Sequence, residues 1–256
     1  QDEIDLILLS AVTKLQPDVI RSGSYSVEER ERLNRGIKAL KNSELYFVEL
    51  PEFSIADVTN VIDNYVLNYD CQYIVFDYIQ MNAKLARTAR EAFKDSNLRD
   101  DQILLELATE LKNIANRRHV YIMSATQLNG SHSSDDYHVS KTEGALRGAK
   151  AIADKIDVGM IIENVSSKDL KNLSELVEDL EANPQHFTPN MATFIYKNRL
   201  GDKGVIIWSK TDLSTLTTKP LFVTDYNYQK LDIPLTRIVL GEDNKFTVDE
   251  DRKVIF

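Results

Sequence analysis

The feature that most constrains the fold of this chain is the stretch Gln72–Met81, which reads Gln-Tyr-Ile-Val-Phe-Asp-Tyr-Ile-Gln-Met. Within it, residues Tyr73–Phe76 are apolar or aromatic and mostly favour β-structure. They lack the polar alternation of a strand with one wet face, so they predict a strand covered on both faces, as in a parallel sheet. The stretch therefore predicts an α/β domain.

An aspartate, Asp77, follows this predicted strand directly. Ligand sites in open α/β sheets lie just beyond the carboxyl ends of the strands. A carboxylate at that point can hold a metal ion, usually through water, beside the phosphates of a nucleotide. The same carboxylate could instead only cap the turn that follows the strand, and the stretch alone supports both interpretations equally.

Along the rest of the chain, strands alternate with helices of about a dozen residues, which predicts a βαβ architecture with a largely parallel sheet. Capping boxes at Ser26 with Glu29 and at Ser54 with Asp57 each predict the start of a helix. Further helices are predicted over Asp2–Leu15, Asp101–Asn116, Glu143–Asp154 and the acidic Asp169–Glu181. Further strands are predicted over Leu45–Leu50, Val120–Ser124 (again buried) and Val158–Ile162.

The C-terminal third has a different pattern. Thr193–Lys197 and Val205–Ser209 flank a glycine-containing turn, Leu200–Gly204, and together predict a β-hairpin. Beyond Lys210 the pattern weakens. Short strands are predicted there over Leu221–Val223, Arg237–Leu240 and Lys253–Phe256. Two earlier polar segments, Asn82–Leu98 (locally basic) and Ser131–Tyr137, are predicted to be loops.

Composition limits the classes of protein to which the chain can belong. Its 256 residues suit one domain with appendages, or at most two domains. The single cysteine, Cys71, excludes a disulfide scaffold and a cysteine-based metal site. A net charge of −9 argues against a general polyanion-binding surface, so a contact with nucleic acid must be local. No apolar run approaches the length of a membrane span, and we expect a cytoplasmic protein.

Polar side chains suited to a phosphate-bearing ligand follow three predicted strands, and we expect them at one end of the sheet. An acid can hold Mg²⁺, an amide can sense a phosphate or orient water, and an arginine can neutralise charge in the transition state. Each also has a simpler role, since an amide can cap a strand end and cations are common beside hairpin turns. The candidates are Asp77 with Gln80, Gln127 with Asn129, and Lys197 with Arg199.

Other kinds of site find little support. The four histidines show no helical i,i+4 pairing, and no G-x-S-x-G elbow is present. A phosphate-binding G-x-x-x-x-G-K-[ST] loop is absent from the 256 residues, which contain no Gly-Lys dipeptide. Without the backbone N–H groups and the lysine of such a loop, we expect this polypeptide alone not to bind ATP tightly.

Several segments together resemble one family. Tyr73–Met81 is similar to a Walker B strand ending in Asp-Tyr-Leu-Gln-Leu, and Ala125–Asn129 to a Ser-Gln-Leu-Asn motif. Leu146–Lys150, followed by Asp157, is similar to a Leu-Arg-Glu-Ser-Gly loop with its trailing acid, and Ile195–Gly204 to a Lys-x-Arg-Asn-Gly hairpin. In this order and spacing, over about residues 2–210, they resemble the RecA-like motor domain of DnaB-type hexameric replicative helicases, particularly the phage members.

The resemblance implies roles for individual residues. Asp77, with Gln80 beside it, would hold Mg²⁺ of the bound ATP through water, and Gln127 would couple the nucleotide state to the DNA-binding loops. Lys197 and Arg199 would reach the γ-phosphate at the site of the neighbouring subunit, with Arg199 as the arginine finger. Single-stranded DNA would be held by the 147–150 loop and the basic segment, through Arg147, Gly148, Lys150, Arg87 and Arg90.

The chain departs from the family pattern in two motifs. The Glu and Gly of the DNA loop are Gly148 and Lys150 here, and the Asn-Gly after the finger arginine is Leu200-Gly201. DNA contact by Arg147 and Lys150 still fits, because both can bind phosphate without reading bases. By the resemblance, the Walker A loop and the catalytic glutamate would precede Gln1, so we expect either a fragment of a complete helicase or a degenerate partner.

The resemblance thus predicts ATP-dependent DNA unwinding by a ring-shaped hexamer at replication forks in a bacterial host cell, with a primase and a helicase loader as possible partners. Residues 1–210 would form a partial motor domain, and residues 211–256 a C-terminal extension without an assigned role. Two other functions fit the same residues. One is a catalytically inactive RecA-like scaffold, and the other is another RecA-like ATPase of recombination.

Overall fold

The computed structural model describes residues 2–127, 150–174, 176, 188–233, 238–240 and 246–248. The fold over these residues is α/β. The helices are α1 Asp2–Thr13, α2 Pro17–Ser22, α3 Val27–Lys41, α4 Ile55–Tyr69, α5 Ala83–Phe93, α6 Asp100–Arg118, α7 Lys150–Lys155 and α8 Ser167–Asn172. The strands are β1 Tyr73–Phe76, β2 Tyr121–Ser124, β3 Val158–Asn164, β4 Met191–Asn198, β5 Val205–Asp212, β6 Thr217–Asp225, β7 Lys230–Leu231, β8 Ile238–Leu240 and β9 Phe246–Val248.

The two predicted capping boxes are confirmed. Ser26 accepts a hydrogen bond from the backbone N–H of Glu29 at 3.2 Å, and the Glu29 carboxylate accepts one from the Ser26 N–H at 2.8 Å. Ser54 and Asp57 repeat this exchange at the start of α4, at 3.2 and 2.7 Å. Each box satisfies two of the N–H groups that a helix leaves unpaired at its start, which fixes where α3 and α4 begin.

Strands β1 and β2 pair in parallel, with Tyr73 opposite Tyr121 and Phe76 opposite Ser124. The prediction that both strands are buried on both faces is wrong for the described residues. Tyr73, Val75, Tyr121 and Met123 are 66%, 72%, 74% and 70% exposed. The alternate residues of the pair turn inward against the helices, and no described element covers the outward face. An unbroken apolar run therefore does not by itself show that both faces of a strand are packed.

The core beneath this sheet is built from α4, α5 and α6. From α6, the predicted inward residues Ile103, Leu107, Leu111 and Ile114 are all buried. They pack with Val58 and Ile62 of α4 and with Leu85 and Ala89 of α5, while Ile74, Phe76 and Ile122 from the sheet contact the same cluster. This packing fixes β1 and β2 against a rigid helical layer, so that the segments after the two strands start from a firm base.

Helix α5 lies where the sequence predicts a loop over Asn82–Leu98, so that prediction is wrong for residues 83–93. The side chain of Asn82 caps the helix by accepting a hydrogen bond from the N–H of Leu85 at 2.9 Å. The buried stripe of α5 consists of Leu85 and Ala89. Because alanine carries little hydrophobic signal, a stripe this narrow does not show as a helical period among the surrounding cations.

The second sheet has the strand order β3-β4-β5-β6-β7, and its β4–β5, β5–β6 and β6–β7 pairs are antiparallel. The predicted hairpin is confirmed as β4–β5, with the Gly204 N–H donating to the Ile195 carbonyl at 2.8 Å. The largest sheet is thus antiparallel over these strands, because turns of a few residues join them and a parallel pair would need a long crossover. The α/β class itself is confirmed.

Two further sequence predictions can be compared with the structure. Leu45–Leu50 forms no strand, and Leu45, Tyr46, Phe47 and Val48 are 41–50% exposed, because no described strand pairs with this segment. In the tail, β6 includes the predicted strand Leu221–Val223 and β8 most of Arg237–Leu240. The loop Ser131–Tyr137, most of the helix predicted over Glu143–Asp154, the end of the acidic helix, and Lys253–Phe256 lie outside the described residues.

The chain divides into two compact units. The first comprises residues 1–47, 161–195 and 204–256, and the second residues 48–160 and 196–203. The second unit contains β1 and β2, helices α4–α7 and the turn between β4 and β5. The predicted domain boundary at residue 210 stays a prediction. None of the helices in the described part of the chain is long and apolar enough to span a membrane.

Candidate functional site

The segments that leave β1 and β2 are tied to each other at the carboxyl end of the parallel pair. Ser124 Oγ donates to the Phe76 carbonyl at 2.7 Å, and the Ile79 N–H donates to the Ala125 carbonyl at 2.9 Å. Asp77 follows β1 and Gln127 follows β2, so this pairing brings the two predicted site residues to the same sheet edge. The sequence argument for this edge rests on the parallel pairing, which the structure confirms.

The side chains at this edge face solvent. Asp77, Gln80 and Gln127 are all exposed. Gln127 Nε2 lies 3.5 Å from the Tyr78 hydroxyl, at the outer limit of a hydrogen bond, and the peptide bond between Asp77 and Tyr78 is cis. An exposed carboxylate and an exposed carboxamide at one strand end can both be reached by a ligand that approaches from solvent.

The residues at this edge fit a magnesium ion that arrives with a nucleotide. Within the described ranges, no group of three or more His, Cys, Asp or Glu side chains could hold a metal by itself. Mg²⁺ in nucleotide sites is usually held by one or two carboxylates together with waters and the phosphates of the substrate. The exposed carboxylate of Asp77 could supply the protein ligand of such an ion.

The two predicted cations follow a different sheet and contact helix α7. Lys197 Nζ donates to the Ala153 carbonyl at 2.5 Å, and Arg199 Nη2 donates to the Asp154 carbonyl at 3.3 Å. The last carbonyls of a helix have no partner within the helix and carry partial negative charge, which favours nearby cations. The C-terminal turn of α7 therefore holds both cations of the β4–β5 hairpin.

An aspartate beyond α7 adds a charged contact. Arg199 Nη1 lies 3.1 Å from Asp157 Oδ1, and the Arg199 N–H donates to the Asp157 carbonyl at 3.0 Å. The other carboxylate oxygen, Oδ2, lies 2.5 Å from Lys112 Nζ. The hydrogen bond from Lys112, and then the charges of Lys112 and Arg199, hold the pKa of Asp157 below its usual value. Asp157 is therefore charged at neutral pH.

Sequence reasoning found these residues unevenly. Lys197 and Arg199 stand out through their spacing on a hairpin, and Asp157 only as an acid that trails a motif. Lys112 gives no local signal, since it lies in α6 among residues of ordinary helical pattern and its partner is 45 residues away. Long-range pairs of this kind would need co-varying positions to be seen in a sequence.

The predicted single cluster of acid, amide and cations forms two separate groups within one chain. Asp77 and Gln127 follow the β1–β2 pair, whereas Lys197 and Arg199 follow β4 of the second sheet. In the described part of the chain, the contacts of the two cations are with Ala153, Asp154 and Asp157 rather than with Asp77. The expectation failed because it treated all predicted strands as members of one parallel sheet.

The predicted DNA-binding residues are described in part. Arg147 and Gly148 lie outside the described residues, and Lys150 is the first residue of α7. Arg87 is exposed on α5. Arg90 donates through Nε to the Leu98 carbonyl at 3.3 Å and pairs with Asp100 at 3.2 Å. Arg90 therefore connects α5 to the start of α6, whatever else it contacts.

Comparisons with known proteins agree with this geometry. The family model described as "DnaB-like helicase C terminal domain" matches residues 1–212. The chain is 29% identical over 244 residues to the "SPbeta prophage-derived uncharacterized protein YorI" of Bacillus subtilis (strain 168), a match that covers 94% of this chain and 47% of that protein. The chain thus spans about half the length of this relative.

The fold also matches a solved structure, which is the ATPase domain of another protein. The two structures superpose with a TM-score of 0.63 at 13% sequence identity, over 86% of this chain and 71% of the other. At this level of identity the match concerns the fold alone.

Proposed function

The chain belongs to the DnaB-like helicase C-terminal domain family, and on that premise we propose that it is part of a motor that hydrolyses ATP to unwind duplex DNA during replication. The observation that carries the proposal is the pair Asp77 and Gln127, brought to one edge by the parallel β1 and β2. This edge is where α/β sheets bind nucleotides.

At this edge we assign Asp77 to the magnesium ion of ATP, with Gln80 beside it. The bound ion would supply neutralisation of the charge that develops on the phosphates. Asp77 has an exposed carboxylate and lies directly after a strand fixed by a packed core, so it can hold its position without being buried. Gln127 can report the state of the nucleotide, because its segment is hydrogen-bonded to the segment that carries Asp77.

We assign Lys197 and Arg199 to the nucleotide of a neighbouring subunit, with Arg199 as the arginine finger. Their contacts with α7 and Asp157, on a different sheet from Asp77, support an action between subunits. Such an arrangement requires an oligomer in which each site is completed by the next chain. A ring of six is the form that the family resemblance implies.

Single-stranded DNA is the proposed track of this motor. Arg147, Gly148 and Lys150 would contact it, with Arg87 on α5 as a further cation and Arg90 as a candidate whose guanidinium also serves α5. The net charge of −9 restricts such binding to local cationic segments. Because binding would depend on phosphate contacts, it should weaken steeply with increasing salt. A primase, a helicase loader and a location in the bacterial cytoplasm complete the proposal.

A catalytically inactive RecA-like scaffold is the second candidate. It is favoured by one observation, the absence of a G-x-x-x-x-G-K-[ST] loop from the 256 residues. Another RecA-like ATPase of recombination fits the fold but gives no reason for the Lys-x-Arg hairpin. The complete reading frame distinguishes the candidates, since a phosphate-binding loop about one β-α-β unit before Gln1 would support the enzyme.

The test of the proposed function uses the full-length gene product. We expect ATP hydrolysis that single-stranded DNA stimulates and that Arg199→Ala nearly abolishes, since finger arginines contribute about 10³–10⁵-fold to turnover. Lys203→Ala is the matched control, because Lys203 is an exposed cation of the same turn. A full-length protein without any ATPase activity would favour the scaffold, and unchanged turnover in Arg199→Ala would refute the finger assignment.

A further inference from the structure

The contacts of Arg199 within its own chain identify a residue that orients it. Asp157 holds Arg199 at two points, through its carbonyl to the Arg199 N–H at 3.0 Å and through Oδ1 to Nη1 at 3.1 Å. The first contact fixes the backbone of the hairpin at the arginine, and the second fixes the guanidinium. One residue therefore sets both where the Arg199 side chain starts and where it ends.

The carboxylate of Asp157 is itself fixed by Lys112. Lys112 Nζ lies 2.5 Å from Asp157 Oδ2, so the two oxygens of the carboxylate serve two different cations. Lys112 projects from α6, whose neighbouring residues Leu111 and Ile114 are 5% and 0% exposed in the core. A helix packed in this way moves little, and it transmits its position to Asp157 through the charged pair.

A guanidinium held in this way can still serve a phosphate. Arginine has five N–H donors in a rigid planar fork, and the contacts with Asp157 and Asp154 engage Nη1 and Nη2 once each. The Arg199 side chain is 51% exposed, so a ligand in solvent can reach it. The contacts therefore restrict the rotamers of Arg199 without closing it off.

We propose that Asp157, fixed by Lys112, is a positioning residue that holds Arg199 in the orientation in which it meets the terminal phosphate of ATP on the neighbouring subunit. This inference rests on the proposed function. Arginine side chains have many rotamers, and an arginine that is ordered before the reaction contributes more to the transition state than one that must be ordered during it. Asp157 acts through Arg199 and has no contact with the nucleotide in this proposal.

The first test measures steady-state ATP hydrolysis by the full-length protein with saturating single-stranded DNA. Asp157→Asn should lower kcat about 10- to 100-fold, because small errors of position at a reacting centre cost that much, and should leave KM for ATP almost unchanged. The double variant Asp157→Asn/Arg199→Ala should be no slower than Arg199→Ala alone, since the two residues act as one unit. Lys112→Met should lower kcat less than Asp157→Asn does and should likewise add nothing to Arg199→Ala.

The matched control is Asp63→Asn. Asp63 accepts a hydrogen bond from Arg118 Nε at 2.7 Å, so it is also an aspartate paired with an arginine in the second compact unit. Its loss should cost stability of a similar kind and leave kcat within about twofold of the unchanged protein. This control separates a loss of structure from a loss of positioning.

The second test mixes inactive subunits. If Arg199 acts between subunits, Asp77→Asn subunits supply an intact Arg199 to the intact Asp77 site of Asp157→Asn subunits, and activity should return in the mixture. Mixtures of Asp157→Asn with Arg199→Ala should stay inactive, because both lack the same function. Recovery in the first mixture also shows that Asp157→Asn subunits fold and assemble.

Four results separate the possible failures. An unchanged full-length protein without ATPase activity refutes the proposed function, and full activity of Arg199→Ala refutes the finger assignment. With Arg199→Ala inactive, a kcat of Asp157→Asn within twofold of the unchanged protein overturns the positioning role. Losses from Asp157→Asn or Lys112→Met that multiply those of Arg199→Ala overturn it as well, and these ratios stay measurable with Lys112→Met where Asp157→Asn does not assemble.

Discussion

Lys84 Nζ lies 2.8 Å from Asp57 Oδ2, and this ion pair joins the first turn of α5 to the capping box of α4. The same Oδ2 accepts hydrogen bonds from the Ser54 hydroxyl at 2.6 Å and from the Ser54 N–H at 2.7 Å. One carboxylate thus begins α4 and anchors α5, the helix that the sequence did not predict. Lys84 first, and then Ser54, hold the pKa of Asp57 far below its usual value.

Asp57→Ala should destabilise the protein by about 1–2 kcal/mol, since it removes half of a capping box together with an ion pair. Urea denaturation followed by circular dichroism measures the change. Asp18→Ala is the control, because its pair with Arg21 spans 4.0 Å between exposed side chains and should contribute almost nothing. Equal midpoints for the two variants would contradict the role of Asp57.

Acid should destabilise the protein through its paired aspartates. The hydrogen bond from Arg118 lowers the pKa of Asp63, and Lys84 lowers that of Asp57. A carboxyl whose folded pKa lies below its unfolded value of about 3.9 stabilises the fold above that value, and this stabilisation is lost as the pH falls through the folded pKa. The urea midpoint should therefore fall below about pH 4, less steeply in the double variant Asp57→Asn/Asp63→Asn. An equally steep fall in both proteins would contradict this prediction.

Leu107→Ala should cost about 2–5 kcal/mol, because Leu107 is fully buried at the centre of α6 and its loss leaves a cavity. The midpoint of thermal unfolding measures the effect. Leu200→Ala offers the contrast of the same substitution at a leucine that is 97% exposed, where a change of less than about 0.5 kcal/mol is expected. A similar loss from both variants would show that the core has been misassigned.

Asp77→Asn should abolish ATP hydrolysis in the full-length protein while leaving its melting temperature unchanged, because the carboxylate is exposed and serves the magnesium ion rather than the fold. Asp70→Asn is the matched control, since Asp70 is an exposed aspartate in the left-handed conformation that asparagine tolerates well. Normal turnover of Asp77→Asn would mean that Asp77 only caps the turn after β1, the other role that the sequence allows.

Sequence patterns located the elements whose causes are local. The capping boxes at Ser26 and Ser54, the inward stripe of α6 and the β4–β5 hairpin all depend on residues within a few positions of one another, and all are confirmed. Errors occurred where distant contacts decide. The segment Leu45–Leu50 has strand-like residues but no described strand beside it, and the apolar run of β1 has a face that no described element covers.

By itself, the sequence determined the α/β class, the strand that carries Asp77, and the family to which residues 1–212 belong, because these depend on local patterns and on the order of motifs. Only the tertiary structure decided what each site residue contacts. It placed Gln127 beside the Asp77 segment through hydrogen bonds between two strands that lie almost 50 residues apart. It also paired Arg199 with Asp157, and Asp157 with Lys112, by packing α6 and α7 against the end of a hairpin. Charge pairs formed over such distances depend on how the elements pack, and packing is not encoded in any one stretch of the chain.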